Sequence, residues 1–269
     1  MDAKGVQGIE VDLLDPNSLH QALEGADTVY SLASPMPDED SDFIKVNTEG
    51  VLNLLEVATR MGAKTFVQLS TLDVCGFSRR DISDASPPHP AGEYQKAKAE
   101  AERLLLESSK RSPFPRLAII RAARAVGSRD RSLTVPLLRM IKTGRVILPR
   151  SSSMSFTHPA DIAQAMNKAA TGRIPSGSTF LVKSFDASPG ELAHRLIVSL
   201  GARAEVRGEG LFSKSPLPRY TVSQLKASLK IDSQPRWKEL GYKPVFNAQA
   251  ACDEIAKWYR KEPWVIETA

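Results

Sequence analysis

The chain has 269 residues, of which 42% are hydrophobic and 25% charged, and its formal net charge is +5. That composition is typical of one large or two small globular domains, and no apolar run approaches the roughly eighteen residues that span a bilayer. The positive residues are spread along the sequence and aromatic residues make up only 6%, so we expect no nucleic-acid partner. Two distant cysteines and four scattered histidines show no ligand spacing, which argues against a metal site. The N-terminus lacks a basic-then-apolar signal pattern, so we expect a cytoplasmic protein without a membrane partner.

Strand and helix patterns alternate through the first two thirds of the chain. In chain order they predict a strand at 6–14, a helix at 16–25, a strand at 27–33, a helix at 43–62, a strand at 64–70, a helix at 92–110, a strand at 116–121, helices at 133–144 and 159–170, and a strand at 178–184. This alternation predicts an α/β fold with a doubly wound parallel sheet. The last eighty or so residues differ, because they carry helical patterns at 188–201, 221–230 and 247–262 with little strand between them. They predict a smaller mixed region packed on the sheet domain.

The helix that begins with GEYQKAKAEAE raises a catalytic question. Its spacing of four places Tyr94 and Lys98 on one helix face, one turn apart. Two residues in this arrangement also occur by chance on ordinary charged helices, so the pair alone does not establish a site.

Three predicted strand ends carry unusual residues, most of them small or hydroxyl-bearing, at the edge where ligands bind in doubly wound folds. These residues are Ala33 and Ser34, then Ser70 and Thr71, then Arg121 and Gly127. Small residues are also found at strand ends simply because the chain turns there. Each of these residues, taken alone, is therefore better explained by the turn than by a binding site.

Six segments in chain order resemble motifs of the extended short-chain dehydrogenases/reductases. They are VDLLDPNSLHQALEGADTVYSLASP, VNTEGVLNLLEVA, FVQLSTLDVCG, EYQKAKAEAE, SFTHPADIAQAM and WKELGYKPVF followed by IAKWYRK. That superfamily includes sugar-nucleotide epimerases and dehydratases and 3β-hydroxysteroid dehydrogenases. The resemblance implies a Rossmann-like cofactor domain at 1–127 and 153–183 and a substrate-binding region at 128–152 and 184–269. It also implies an NAD(P)-dependent oxidoreductase or epimerase that transfers hydride at a carbinol or carbonyl carbon of a small molecule or nucleotide sugar.

The resemblance also assigns roles to particular residues. Tyr94 would be the general acid/base, and the positive charge of Lys98 would stabilise its phenolate, because a free tyrosine with a pKa of about 10 is a poor base at neutral pH. Thr71 would hydrogen-bond the reacting substrate oxygen, and Asn47, counted with the catalytic set, would fix its helix. The residues expected to contact NAD or NADP are Asp12, Leu13, Leu32, Ala33, Ser34, Ser70, Tyr94, Lys98 and Arg121.

One part of the family pattern is missing from the sequence. No G-x-G-x-x-G motif follows a predicted strand, although dinucleotide binding in this fold uses such a glycine-rich turn. We therefore expect an N-terminally incomplete sheet. Three explanations remain open: the chain is a fragment or a mis-started product, another segment or chain fills the gap, or the fold has rearranged. The alternative function is accordingly a non-catalytic or truncated family member that no longer binds dinucleotide and acts as a binding or scaffold protein. The expected partners are a small-molecule substrate and a second copy of the chain, bound through the helices at 41–62 and 94–109.

Overall fold

The computed structural model describes residues 5–35, 42–78, 81–112, 115–210, 214–231 and 236–266. The α-helices are α1 (Pro16–Leu23), α2 (Phe43–Lys45), α3 (Val51–Arg60), α4 (Glu93–Arg111), α5 (Thr134–Lys142), α6 (Pro159–Thr171), α7 (Pro189–Leu200), α8 (Arg219–Ala227), α9 (Trp237–Leu240) and α10 (Ala248–Lys261). The strands are β1 (Thr28–Ser31), β2 (Thr65–Thr71), β3 (Asp81–Ile82), β4 (Arg116–Ala122), β5 (Arg124–Ala125), β6 (Arg145–Leu148), β7 (Met154–Thr157), β8 (Ser178–Val182), β9 (Phe185–Ala187), β10 (Glu205–Gly208) and β11 (Lys230–Ile231). No helix in these ranges is long and apolar enough to cross a membrane.

The central sheet has four strands in the order β1-β2-β4-β8. β1 and β2 run parallel, in a register that pairs Thr28 with Thr65 and Ser31 with Gln68. Parallel neighbours need a crossover connection, and α3 supplies it between β1 and β2. The fold is therefore α/β with a parallel central sheet, which confirms the predicted fold class.

The chain divides into two compact units. The first unit comprises residues 1–70, 90–120 and 169–179, and the second comprises residues 71–89, 121–168 and 180–269. This division follows the packing of the chain and does not test function, so the assignment of 1–127 with 153–183 to a cofactor domain stays a prediction.

In the first unit, the predicted helix at 43–62 is present with an internal change of winding. α2 passes into a π-helical segment, Val46–Gly50, which is followed by α3. π-Helical segments are frequently found at functional sites, and this one contains the fully buried Asn47. One face of α3 packs with α1, β1 and β2 in an apolar core that includes Leu19, Val29 and Phe66.

The strand predicted at 6–14 is wrong, because the structure gives this segment no strand conformation. Its apolar side chains are exposed, by 69% at Val6 and 39% at Val11. A β-strand is held by hydrogen bonds to a neighbouring strand, and in the described part of the chain no strand pairs with this segment. Apolar alternation alone therefore did not determine its structure.

The second unit has its own apolar core around α5, α7 and α10. The described part of this unit has three small sheets, which are β10 parallel to β6, β11 parallel to β3, and the three strands β5-β7-β9. β2 leads directly into a 3-10 turn, Leu72–Cys75, which ends at Gly76. Gly76 has a φ of 76°, and a Cβ at this position would overlap the backbone oxygen of His89. The turn after β2 is therefore fixed by a backbone conformation that favours glycine.

Candidate active site

Three ionisable side chains lie on one buried face of α4, each one turn after the last. Tyr94 is 8% exposed, and Lys98 and Glu102 are each 2% exposed. We call these three residues the α4 ladder. Lysine and glutamate are almost never fully buried unless they are paired, so this face of the helix is unlike an ordinary charged surface.

The start of α4 is fixed by a side chain from its own first turn. The helix begins at Glu93, and the buried Gln95 accepts hydrogen bonds from the backbone N–H groups of Ala91 (2.8 Å) and Gly92 (3.2 Å). These bonds satisfy donors that precede the helix and have no intrahelical partner. They hold Tyr94, which lies in the same turn, in a defined position.

The Tyr94 hydroxyl begins a directed chain of hydrogen bonds. Ser34, just beyond β1, donates its only hydroxyl hydrogen to Asn47 Oδ1 at 2.9 Å. The Tyr94 oxygen lies 3.1 Å from Ser34 Oγ, so Tyr94 must be the donor of that bond. Asn47 cannot turn its amide round, because its Nδ2 group donates to the backbone oxygens of Pro35 and Phe43. The chain therefore runs from Tyr94 through Ser34 to Asn47.

Lys98 lies beside the end of β2. Its ammonium donates to the backbone oxygen of Leu69 at 3.1 Å. Burial lowers the pKa of Lys98 to about 8, and the carboxylate of Glu102 opposes that change. Desolvation disfavours the charged form, whereas a nearby opposite charge favours it. At neutral pH Lys98 is thus mainly protonated, yet its charge is held less firmly than that of a surface lysine.

Glu102 completes the α4 ladder and binds the next residue of β2. Ser70 donates its hydroxyl hydrogen to Glu102 Oε1 at 2.5 Å. A hydrogen bond to a charged acceptor is shorter and stronger than a neutral one. Glu102 therefore fixes the Ser70 side chain and places a negative charge one turn from Lys98.

The other residues of the first unit that were predicted to contact the cofactor lie just after β1 or just before α1. Leu32 and Ala33 follow β1 and are exposed. Asp12 accepts a hydrogen bond from the N–H of Leu14, and its own N–H donates to Ser18 near the start of α1. The backbone oxygen of Leu13 accepts a hydrogen bond from Asn53 on α3 at 2.9 Å. These contacts explain Asp12 and Leu13 as parts of a turn, and their predicted contact with adenine stays a prediction.

Thr71 and Arg121 belong to the second unit. Thr71 caps the 3-10 turn after β2, where its Oγ1 accepts the N–H of Asp73 at 3.2 Å. Arg121, near the end of β4, is 8% exposed. Burial raises the pKa of Asp84, and the positive charges of Arg236 and Arg121 oppose this rise. Arg121 thus acts electrostatically on a carboxyl group of its own unit.

Two buried carboxylates were not among the predicted site residues. A signal existed for Glu102, because it extends the spacing of four from Tyr94 and Lys98. No signal existed for Asp73, because its partners are more than a hundred residues away in the sequence. Among the described residues, no group of three His, Cys, Asp or Glu side chains could hold a metal ion.

Comparison with solved structures identifies proteins of the same fold. RMD from Pseudomonas aeruginosa, complexed with NADPH, superposes with a TM-score of 0.78 at 21% identity, over 95% of this chain and 89% of that one. The dTDP-glucose 4,6-dehydratase of Bacillus anthracis, in complex with NAD, superposes with a TM-score of 0.78 at 17% identity, over 98% and 83% of the two chains. At these identities the similarity shows a shared fold.

Sequence comparison identifies the family. The N-acetyl-alpha-D-glucosaminyl-diphospho-ditrans,octacis-undecaprenol 4-epimerase of Escherichia coli O157:H7 is 33% identical over 141 residues, which are 51% of this chain. The matched part spans 43% of that epimerase, less than half of its length. A family model covers much more of the chain, residues 2–182. Because that match includes more than half of the sequence, the chain belongs to the NAD dependent epimerase/dehydratase family.

Proposed function

We propose that this protein is an NAD(P)-dependent oxidoreductase or epimerase of the extended short-chain type, with Tyr94 as its general acid/base. Hydride transfer would occur at a carbinol or carbonyl carbon of a small molecule or nucleotide sugar. The observation that carries the proposal is the α4 ladder, in which Tyr94 and the buried Lys98 lie one turn apart beside the ends of β1 and β2. Family membership and the NADPH- and NAD-bound proteins of the same fold support it.

The residues of the α4 ladder fit the ribose of a nicotinamide dinucleotide. Lys98 has three N–H donors, and among the described residues it uses one of them, on the backbone oxygen of Leu69. Two donors of a buried ammonium thus remain for the two hydroxyl oxygens of a ribose. Ser34 and Ser70 add hydroxyl groups nearby in the first unit. When bound, the nicotinamide supplies the hydride or accepts it.

The hydrogen bonds indicate how Tyr94 would handle a proton. In the reductive direction its hydroxyl gives the proton to the substrate oxygen, and in the oxidative direction its phenolate takes that proton back. A protonated Lys98 stabilises the phenolate by its charge. In the structure Ser34 accepts the single hydroxyl hydrogen of Tyr94, so that hydrogen would turn from Ser34 to the substrate oxygen before it is transferred.

Dinucleotide binding is the first test. Thermal unfolding is measured with and without saturating NAD, and separately with saturating NADP. A ligand at about one hundred times its dissociation constant stabilises the folded state by about 2.7 kcal/mol. We expect a shift of the unfolding midpoint with one of the two dinucleotides, and a smaller shift for Lys98→Met. Lys96→Met, an exposed position on the same helix, is the matched control and should respond as the unaltered protein does.

Turnover is the second test. The protein is incubated with a dinucleotide and with dTDP-glucose or UDP-glucose as probe substrates, and product formation is followed by chromatography. Tyr94→Phe should abolish turnover of any active probe while the dinucleotide-induced thermal shift persists. Tyr259→Phe on α10 serves as the control for loss of a phenol hydroxyl. Retained turnover in Tyr94→Phe would remove Tyr94 from the mechanism.

The alternative function rests on the sequence, which has no glycine-rich turn after a predicted strand. A scaffold protein of this family would unfold cooperatively and show no thermal shift with NAD or NADP. A clear shift with one dinucleotide contradicts that alternative.

We also propose that a second copy of the chain binds at α3 and α4. A groove of about 440 Å³ lies between these helices, and it is lined by Leu52, Leu55, Glu56, Thr59, Arg60, Leu104, Glu107, Ser108 and Arg111. Its leucines are bordered by both carboxylates and guanidinium groups, so two copies related by a two-fold axis can pair opposite charges. Light scattering should report a dimer, and Leu104→Glu should shift it towards the monomer.

A further inference from the structure

A buried carboxylate directly follows the strand end that carries Thr71. Asp73 lies in the 3-10 turn after β2 and is 4% exposed. Its backbone N–H donates to Thr71 Oγ1 at 3.2 Å. The main chain of Asp73 therefore holds the oxygen of the Thr71 hydroxyl.

Helix α8 holds this carboxylate from the other side. Tyr220 donates its hydroxyl hydrogen to Asp73 Oδ2 at 2.8 Å, and Gln224 Nε2 donates to the same oxygen at 2.6 Å. These two residues are one turn apart on α8, so they present their donors side by side. Tyr220 is itself packed against Phe77, with ring centroids 6.0 Å apart. These hydrogen bonds connect α8 with the turn after β2.

The surroundings of Asp73 make it a poor acid or base for a substrate. Burial raises the pKa of its carboxyl group, while the hydrogen bonds from Gln224 and Tyr220 and the positive charge of Arg124 oppose that rise. Its Oδ2 accepts from two protein donors, Tyr220 and Gln224. A carboxylate held in this way fixes the turn after β2, and with it the backbone N–H that donates to the Thr71 hydroxyl oxygen.

We infer that Asp73 is a positioning residue, which receives its own position from Tyr220 and Gln224 and holds the Thr71 side chain in one rotamer. This inference rests on the proposed function, in which Thr71 hydrogen-bonds the reacting oxygen of the substrate. A threonine hydroxyl has one hydrogen. Because Thr71 Oγ1 accepts the N–H of Asp73, that hydrogen would point away from Asp73 in a defined direction and would be left for the reacting oxygen of the substrate. α8 thereby influences the geometry of a residue of β2 without contacting the substrate.

The rotamer of Thr71 can be measured without knowing the substrate. Three-bond couplings of the Thr71 methyl group report χ1 by NMR in the unaltered protein, in Tyr220→Phe and in Asp73→Asn. We expect a single rotamer in the unaltered protein and averaged couplings in both variants. Ser223→Ala, at an exposed position on α8, should leave the couplings unchanged. Tyr220→Phe removes one donor and keeps the ring, so it provides a folded variant if Asp73→Asn does not fold.

A double-mutant cycle then connects the geometry to turnover of dTDP-glucose or UDP-glucose. If Asp73 acts through Thr71, Tyr220→Phe lowers kcat about tenfold with little change in KM, and it has almost no further effect in a protein that already carries Thr71→Val. Additive effects, or an unchanged Thr71 rotamer in the folded Tyr220→Phe variant, would overturn the inference. Failure of the proposed function has a different signature, namely no dinucleotide-induced shift or full turnover in Tyr94→Phe, whatever the rotamer of Thr71.

Discussion

The buried ammonium of Lys98 should make the stability of this protein depend on pH in a characteristic way. Its pKa falls from an ordinary value of 10.5 to about 8 in the folded chain. Below about pH 8 both the folded and the unfolded chain carry the proton, so the folded state bears the full cost of burying the charge. Between about pH 8 and 10.5 the unfolded chain binds more protons than the folded chain. Stability must therefore rise with pH across that window.

The size of the effect follows from the same pKa. Each pH unit inside the window contributes about 1.4 kcal/mol, so the whole window is worth on the order of 3 kcal/mol. Lys98→Met removes the titrating group and keeps a long apolar side chain. The difference in unfolding free energy between the unaltered protein and this variant isolates the contribution of Lys98, because most other titrations cancel. We expect the difference to be constant below about pH 8 and to change in favour of the unaltered protein above it.

Urea unfolding at several values between about pH 7 and about pH 10 provides the measurement. Lys96→Met on the exposed side of α4 is the control, and its difference from the unaltered protein should be nearly independent of pH over most of this range. A flat difference for Lys98→Met up to about pH 10 would refute the reasoning, because it would mean that Lys98 keeps an ordinary pKa in the folded chain.

Two further predictions concern the neighbours of this lysine and the turn after β2. Glu102→Gln should lower the pKa of Lys98 below about 8, because it removes the negative charge that favours the ammonium; NMR titration of the lysine Cε and Nζ signals measures this, with the partly exposed Glu107→Gln as the control. Gly76→Ala should destabilise the protein by at least about 2 kcal/mol, since it combines a φ of 76° with a backbone overlap. Gly25→Ala has a φ of 71° and open space around it, so it should cost only about 1 kcal/mol, as measured by the midpoint of urea unfolding.

Local sequence signals predicted the helices well. α4 is specified by strong helix formers and α7 by a serine N-cap and a glycine stop, so their patterns needed no information from distant residues. The two central strands, β2 and β4, were recognisable because parallel strands covered on both faces form apolar runs. The segment at 6–14 shows the limit of this reasoning, since its alternation predicted a strand whose existence depends on a partner.

The parts of the candidate site that depend on contacts within one helix could be predicted from the sequence, whereas the parts that depend on contacts between distant residues could not. Tyr94, Lys98 and Glu102 follow from helical spacing, although burial of the two charged residues could not be read from the sequence. The hydrogen bond between Ser70 and Glu102 joins positions 32 residues apart, and that between Asp73 and Tyr220 joins positions 147 residues apart. Contacts of this kind arise from the tertiary fold, and no spacing rule identifies them.

Ser70 and Thr71 together give a physical reason to regard the end of β2 as functional. Successive side chains of a strand point to opposite faces, and both hydroxyl groups are hydrogen-bonded to a buried acidic residue: Ser70 donates to the carboxylate of Glu102, and Thr71 accepts the backbone N–H of Asp73. Burying an ion costs several kcal/mol even when it is paired, and apolar residues of similar volume often serve stability equally well. Stability alone therefore gives no strong reason for Lys98, Glu102 and Asp73 at these positions. If Lys98→Met and Glu102→Gln combined make the chain more stable at neutral pH while the dinucleotide-induced shift disappears, these charges serve binding and catalysis at the expense of stability.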